Sequence, residues 1–316
     1  MNETVKKKAS KLGINNRREK IFYALFISIP VIHFLVFYVY INFNSILLAF
    51  QKHDLVEGGY KISPAKWSNF VSAWEHSFGG TAGLIRIKNS FLMLGILMVT
   101  GLPLAVLFSY YLYKKAPFSG FFKTILFMPQ LLSGVVLGII FLELTNTVYL
   151  GTIGKGADFN LMKDPNTKFG MVILFNILMG FGVNVLMYTS TMSGINESLI
   201  ESAQLDGANA LQELWYIVLP MVYPTLTTLF IVDFSHVFTN QFNLFTLYGK
   251  AANELGTVGY YLYVQAQSSG LAQSEVANGY LNYSVLSALG LIFTAIILPT
   301  TLIARRLLEK YGPKAD

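Results

Sequence analysis

The chain contains 316 residues, of which 53% are hydrophobic and 13% are charged, and its mean hydropathy is +0.51. Soluble domains carry about 25% charged residues, so this composition indicates a membrane protein. The 25 Phe and 18 Tyr residues exclude a disordered chain, and the absence of Cys excludes disulfides, iron–sulfur clusters and thiol chemistry. The net charge of +6 does not favour nucleic-acid binding, because the basic residues gather beside apolar segments, where they set topology and attract anionic lipid.

Six segments are apolar over the roughly 20 residues that a helix needs to cross a bilayer. The first is longer than the ~7–15 apolar residues of a signal peptide and lacks a cleavage site after it, so we expect a retained anchor. The sequence therefore predicts an all-α polytopic membrane protein. The predicted spans are residues 21–48, 90–113, 122–144, 169–192, 216–242 and 284–303.

Six spans place both termini on the same side of the membrane. That side holds 14 of the Lys and Arg residues, against nine in the loops of the other side. Because the basic-rich side is normally cytoplasmic, we predict that both termini are cytoplasmic. The predicted organisation is a basic arm at 1–20, the first span, an extracytoplasmic loop at 49–89, a five-span core at 90–306 and a cytoplasmic tail at 307–316.

The cytoplasmic loop at 193–215 contains four acidic residues and no basic one. Asn196 can cap a short helix over 197–205, and Gly207 suits the left-handed backbone at a helix end. Asn209 and Gln212 match a capping box that would begin a second helix. We therefore predict two short helices joined at a glycine turn.

The start of the fifth span and the apolar residues of the first loop helix add two further expectations. Pro220 and Pro224 predict a kinked or restarted beginning of the fifth span. Leu199, Ile200 and Leu205 are apolar residues on a unit that would project into the cytoplasm. Such a surface implies a partner protein.

The loop resembles a known motif. Glu201-Ser202-Ala203 and Asp206-Gly207-Ala208 are followed by Ile217 and Leu219-Pro220. This pattern resembles the EAA loop of binding-protein-dependent ABC importer permeases, with Ser202 in place of the usual second Ala. The resemblance extends over residues 90–306 and implies a type I ABC importer permease fold. It also implies that the loop docks into a cleft on an ATPase subunit, with an ordinary connecting loop as the alternative. The implied coupling residues are Glu201, Ser202, Ala203, Leu205, Asp206, Gly207, Ala208 and Pro220.

The same resemblance implies the partners. These are a second, homologous permease, two cytoplasmic ATPase subunits and an extracytoplasmic solute-binding protein, assembled in a bacterial cytoplasmic membrane. The sequence has no phosphate-binding loop, so we expect the chain to bind no cofactor and to catalyse no reaction, with ATP and Mg²⁺ on the partner subunits. The four His residues are scattered, and we expect no metal site.

Two segments indicate the cargo. Residues 121–129 resemble the start of the third span in carbohydrate permeases, and residues 242–263 resemble the outer loop after the fifth span. The resemblance implies transport of a carbohydrate, an oligosaccharide in particular, by alternating access. A non-sugar polar solute and a stand-alone secondary transporter are the alternatives. A phosphate cargo would favour Arg or Lys in the middle of the spans, and the sequence has none there. Internal repeats would favour a secondary transporter, and the sequence shows no such repeat.

Polar residues inside the spans are the candidate substrate path. Charged groups in hydrocarbon usually face a bundle interior or a water-filled path. On the fourth span the candidates are Asn184 and Tyr188. On the fifth they are Asp233, His236, Asn240 and Asn243, which fall within an arc of about 80° and predict one polar stripe along the outer half of the helix. Amide, carboxylate and aromatic groups suit the hydroxyls and C–H faces of a sugar. Equally open is the reading that Asp233 and His236 pair with each other, or cap a neighbouring helix, for packing.

Overall fold

The computed structural model describes residues 17–56, 59–145, 160–268, 276–277 and 280–313. Within this part of the chain, five helical segments are long and apolar enough to cross a membrane, and a bent pair of helices is a sixth candidate. The prediction of an all-α polytopic membrane protein is therefore confirmed. Most of the predicted basic arm, residues 1–16, lies outside the described residues.

The N-terminal part of the chain carries the first three spans. The first consists of α1 (Arg17–Phe34), a π-helical segment (Leu35–Tyr40) and α2 (Ile41–Leu48). An antiparallel hairpin, β1 (Gln51–Val56) and β2 (Gly59–Pro64), pairs Gln51 with Pro64 and is followed by α3 (Ser68–Phe78). The second span is α4 (Thr81–Tyr113), and the third comprises α5 (Ser119–Phe127), a 3₁₀ turn (Met128–Leu131) and α6 (Gly134–Glu143).

The C-terminal part carries the remaining three spans and the loop between the fourth and the fifth. The fourth span is α7 (Lys168–Met192), and the loop contains α8 (Glu197–Leu205) and α9 (Ala210–Glu213). A π-helical segment (Leu214–Val218) leads into α10 (Leu219–Ser235). Then come α11 (Leu244–Tyr248), a 3₁₀ turn (Asn253–Leu255), α12 (Val258–Ser268), a two-residue hairpin of β3 (Val276–Ala277) and β4 (Tyr280–Leu281), and the sixth span, α13 (Tyr283–Tyr311).

Two spans are longer than predicted, because polar residues beyond their apolar parts find partners. The second span begins at Thr81 rather than at residue 90. There Arg86 lies 4.0 Å from the ring centre of Tyr261, and Asn89 donates a 2.7 Å hydrogen bond to the backbone of Glu254. The sixth span continues past residue 303 to Tyr311, supported by an ion pair between positions 305 and 309, one helical turn apart.

The third span was predicted as one helix over 122–144, and this prediction is wrong. Its two halves meet at 104°. Pro129 lies in the 3₁₀ turn that ends the first half, and the Ser133 hydroxyl accepts a 3.2 Å hydrogen bond from the backbone N–H of Val136 at the start of the second. Because the first helix ends at this turn and a new N-cap begins the next, the third span consists of two short apolar helices instead of one long helix.

The fifth span also differs from its predicted bounds of 216–242. It is helical from Ala210, and the helix ends at Ser235. The π-helical segment directly before Pro220 confirms the irregular start predicted there. Beyond Ser235 the backbone turns, and Phe242 and Asn243 adopt positive φ angles of 50° and 55°.

Buried apolar side chains form two clusters along the bundle. One lies towards the end that carries the hairpins and α11–α12, and it includes Met93, Val172, Leu244, Val258 and Leu289. The other lies towards the end that carries α8 and α9, and it includes Ala105, Val185, Met192, Ile200 and Val218. The most apolar 18-residue window of the first span has no buried residue, so this span stands outside both clusters.

Gly182 marks a close approach between the third and fourth spans. A Cβ atom at this position would overlap the backbone carbonyl of Leu126 on α5. Gly95, on α4, has open space where its Cβ would lie. The same substitution therefore has opposite consequences at the two positions.

We expect Gly182→Ala to destabilise the protein by about 1–3 kcal/mol, because α5 and α7 must separate to admit the methyl group. Gly95→Ala should leave stability unchanged or raise it by up to about 1 kcal/mol, since Ala is the better helix former. Thermal unfolding of the two variants in detergent measures the difference. Equal midpoints would contradict the close contact.

Candidate functional site

A cavity of about 310 Å³ lies between α4, α7, α10 and the turn that follows α10. Its apolar wall includes Leu94, Leu97, Met98, Phe181, Leu229 and Phe230. Its polar groups are Asn176, Asn184, Tyr188, Asp233, Asn240 and Asn243. Among the described residues that line it, none is Lys or Arg.

The cavity brings together five of the six residues predicted to form the substrate path: Asn184, Tyr188, Asp233, Asn240 and Asn243. His236 is not among the lining residues. The expected single stripe on one helix is wrong, because α10 ends at Ser235 and His236 is its C-terminal capping residue. Asn240 and Asn243 reach the cavity because the chain turns back after the helix. Contact between these residues and the cargo stays a prediction, with packing as the alternative.

Asn176 is a cavity residue that the sequence analysis missed. Its side-chain nitrogen donates to the backbone carbonyls of Val172 at 2.8 Å and Phe242 at 2.9 Å. Its oxygen accepts a 2.9 Å hydrogen bond from the side chain of Asn243. It lies on the same apolar helix as Asn184, and the rule that polar residues within spans face the interior would have found it.

Asn240 and Asn243, which follow α10, stabilise the turn as well as lining the cavity. The Asn240 side chain accepts a 2.7 Å hydrogen bond from the backbone N–H of Phe242, which is an Asx turn. Asn243 has φ of 55°, a conformation that Asn tolerates better than most residues. Together with Asn176, they fix the turn that closes one end of the cavity.

The remaining polar groups of the wall are Asn184, Tyr188 and Asp233. Asp233 is exposed, whereas Tyr188 is buried, with 3% of its surface accessible. A carboxylate accepts hydrogen bonds, a phenol and an amide both donate and accept, and the rings of Phe181 and Phe230 offer flat apolar faces. This set suits a hydroxyl-rich solute without a strong negative charge.

The loop between the fourth and fifth spans has the local structure predicted for it. The Asn196 side chain accepts a 3.1 Å hydrogen bond from the backbone N–H of Ser198 and caps α8. Gly207 has φ of 83°. Asn209 and Gln212 exchange two 2.9 Å hydrogen bonds in a capping box that begins α9. The two helices are thereby fixed at a left-handed turn.

The residues of the loop divide into an outer and an inner face. The outer face is exposed and carries Glu201, Ser202, Leu205, Asp206 and Gly207. Ala203 and Ala208 are half-buried, and Pro220 lies at the start of α10 rather than on the exposed loop. The predicted exposure of Leu199 and Leu205 is confirmed, but Ile200 is buried. Ile200 faces the apolar cluster around Val185 and Val218 and attaches α8 to the bundle.

Glu213 also departs from expectation. It is one of four acids in a loop that was expected to project into the cytoplasm, but only 2% of its surface is accessible. Its carboxylate pairs with Lys114, which lies just beyond α4, at 2.9 Å. No local sequence signal distinguishes it from the exposed acids, because its partner lies 99 positions away.

Comparison with known proteins places these features in a family. Residues 98–314 match the family described as Binding-protein-dependent transport system inner membrane component. The arabinooligosaccharides transport system permease protein AraP of Bacillus subtilis (strain 168) is 27% identical over 294 residues, covering 90% of this chain and 87% of AraP. The polygalacturonan/rhamnogalacturonan transport system permease protein YteP of the same organism is 26% identical over 316 residues, covering 97% and 93%.

A solved structure shares the fold. In the crystal structure of a bacterial alginate ABC transporter in complex with alginate pentasaccharide-bound periplasmic protein, one chain matches with a TM-score of 0.72. The two chains are 20% identical, and the match covers 93% of this chain and 96% of the other. The family match contains both the loop and most of the cavity wall. The chain therefore belongs to the family of binding-protein-dependent transport system inner membrane components, and its fold is that of a type I ABC importer permease.

Proposed function

We propose that this chain is the transmembrane permease subunit of an ATP-driven importer that moves an oligosaccharide by alternating access. The observation that carries the proposal is the cavity between α4, α7 and α10, in which amides, a phenol and a carboxylate face aromatic rings. These are the groups that bind sugar hydroxyls and C–H faces. The names of AraP and YteP, which are similar along most of their length, support a carbohydrate cargo.

The alternatives have less support. A phosphorylated solute would favour Arg or Lys in the wall, because these side chains pair with phosphate oxygens. None of the described lining residues is of that type. A stand-alone secondary transporter would have no use for the exposed α8–α9 unit, and the family membership argues against it. A neutral, hydroxyl-rich cargo remains the best match.

The exposed face of α8 and α9 is the proposed docking surface for an ATPase subunit. It presents Glu201 and Asp206 beside the apolar Leu205, of which 89% is exposed. An acidic rim around an apolar contact suits a cleft with basic edges. Closure of the ATPase dimer on ATP would push the two helices as one rigid body and tilt the bundle towards its outward-open form. ATP and Mg²⁺ would bind to the ATPase subunits, and this chain would catalyse no reaction and bind no cofactor.

The proposed assembly sits in a bacterial cytoplasmic membrane with both termini in the cytoplasm. It contains this chain, a second, homologous permease, two ATPase subunits and an extracytoplasmic solute-binding protein. The alginate transporter that shares the fold was crystallised with a sugar-loaded periplasmic protein, which supports the last of these partners. The hairpin β1–β2, α3 and α11–α12 lie at the end opposite the coupling loop and would face that protein.

The proposal is tested by the ATPase activity of the complex purified with its binding protein, measured across a panel of oligosaccharides. We expect one sugar class to stimulate hydrolysis. If no ATPase subunit purifies with the chain, the importer proposal is wrong. If an ATPase is present but no sugar stimulates it, the importer stands and the carbohydrate cargo does not.

Gly207→Pro tests the coupling turn. The native φ of 83° is closed to Pro, whose ring fixes φ near −65°. We expect sugar uptake in proteoliposomes to fall at least about tenfold, because α8 and α9 lose their fixed angle at a cost of at least ~1–3 kcal/mol. Gly207→Asn is the matched control, since Asn accepts a left-handed backbone and should retain most uptake. Normal uptake by the Pro variant would rule out the coupling role.

Asn184→Leu separates cargo contact from packing. If Asn184 binds sugar, the rate of uptake at saturating binding protein should fall about tenfold, which corresponds to ~1.4 kcal/mol and one or two lost hydrogen bonds. Asn42→Leu makes the same chemical change on the exposed surface of α2 and should leave uptake unchanged. A lower thermal midpoint for Asn184→Leu with normal uptake would instead assign the residue to packing.

A further inference from the structure

A buried carboxylate joins the coupling loop to the second span. The Glu213 side chain accepts hydrogen bonds from Lys114 Nζ at 2.9 and 3.0 Å and from the Tyr110 hydroxyl at 2.9 Å. It also accepts one from Gln204 Nε2 at 3.1 Å. The donors come from the end of α4 and from α8, while Glu213 itself ends α9. One side chain therefore connects both helices of the loop to a membrane-spanning helix.

Stability alone does not account for a buried carboxylate at this position. Removing a carboxylate from water is unfavourable, and a well-packed apolar group in its place is often as stable. Ile200 and Leu214 already attach the loop to the bundle through apolar contacts. Apolar contacts have no preferred direction, whereas charge-assisted hydrogen bonds fix both distance and orientation. What Glu213 adds is a connection of defined geometry.

The helix at the other side of this connection forms part of the cavity wall. Leu94, Leu97, Met98 and Gly101 of α4 all line the cavity. At ~1.5 Å per residue, Lys114 lies about 20 Å along the chain from Gly101. A displacement of the loop that is held rigidly at Lys114 therefore reaches the cavity through one helix.

The acids of the loop have different surroundings. Glu201 and Asp206 are exposed and available to a partner. Glu213 faces inward and is 2% exposed, so a docking protein does not reach its carboxylate. Its role must be exercised within this chain.

We propose that Glu213 is a positioning residue, which holds α8 and α9 to the end of α4 and carries their movement into the wall of the cavity. The proposal rests on the proposed function, since it concerns how ATP hydrolysis is coupled to uptake. Glu213 would touch neither cargo nor ATPase. It acts through Lys114 and Tyr110.

Glu213→Gln is the direct test, because it keeps the shape of the side chain and removes its charge. The amide oxygen can still accept from Tyr110 and Gln204, and Lys114, whose side chain is 31% exposed, can turn towards water. We expect the purified complex to assemble and hydrolyse ATP, while sugar uptake per ATP hydrolysed falls about tenfold, within the range by which positions along a coupling network act. Glu309→Gln breaks the exposed ion pair with Arg305 and is the matched control, with normal uptake per ATP.

A charge exchange distinguishes positioning from a general effect on folding. In the double variant Lys114→Glu/Glu213→Lys, the Tyr110 hydroxyl and the Gln204 carbonyl can accept from the new ammonium group, so the pair can re-form in reverse. We expect this variant to recover most of the uptake per ATP that Lys114→Glu alone loses. The proposal is overturned if Glu213→Gln couples normally, or if uptake, hydrolysis and thermal midpoint fall together without recovery in the exchange. Failure of the wild-type complex to take up any sugar would instead overturn the proposed function, and this inference with it.

Discussion

A bilayer offers no water to a polar group, and the position of the polar side chains in this protein follows from that constraint. Along the spans, hydroxyl groups bond to backbone carbonyls: Ser109 donates to Ala105 at 2.6 Å and to Val185 at 3.0 Å. Other polar groups within the spans line the cavity, and a further set lies at the loop end of the bundle. The cavity, which is the proposed substrate path, and the loop, which is the proposed coupling unit, both offer polar side chains a place away from lipid.

Hydropathy and capping rules predicted much of this chain because both report on local properties. The roughly 20-residue apolar requirement located the five long helical segments and the bent pair of the described chain, and Asn196, Gly207 and Asn209 specified the two loop helices through contacts within a few positions. What escaped prediction depends on distant partners. Ile200 and Glu213 were predicted to be exposed loop residues. Both are buried, because they pack against helices that are distant in sequence. Composition likewise cannot detect the 104° break of the third span, since the two halves together are apolar enough to read as one span.

The candidate cavity shows the same division between local and distant determinants. The rule that polar residues in spans face the interior brought Asn184, Tyr188 and Asp233 to one space. The helical-wheel argument that added Asn240 and Asn243 assumed a continuous helix, whereas α10 ends at Ser235. These two residues line the cavity for another reason: the turn after α10 is held by hydrogen bonds to α7 and within itself. A correct set of residues can therefore come from an incorrect geometry.

The packing of the spans indicates where the cavity can change shape. Helix α4 packs extensively along α7, and Ser109 bonds to the backbone of Val185 between them, but α4 touches α10 much less. Closely packed pairs move together, and relative motion occurs where contact is sparse. The cavity lies at the sparse side, between the α4–α7 pair and α10. A push delivered to the end of α4 would therefore displace α4 and α7 as a unit against α10, so that the wall with Leu94 and Asn184 shifts relative to the wall with Asp233. The cavity therefore lies along a sparsely packed seam of the bundle, which would suit the proposed alternating access.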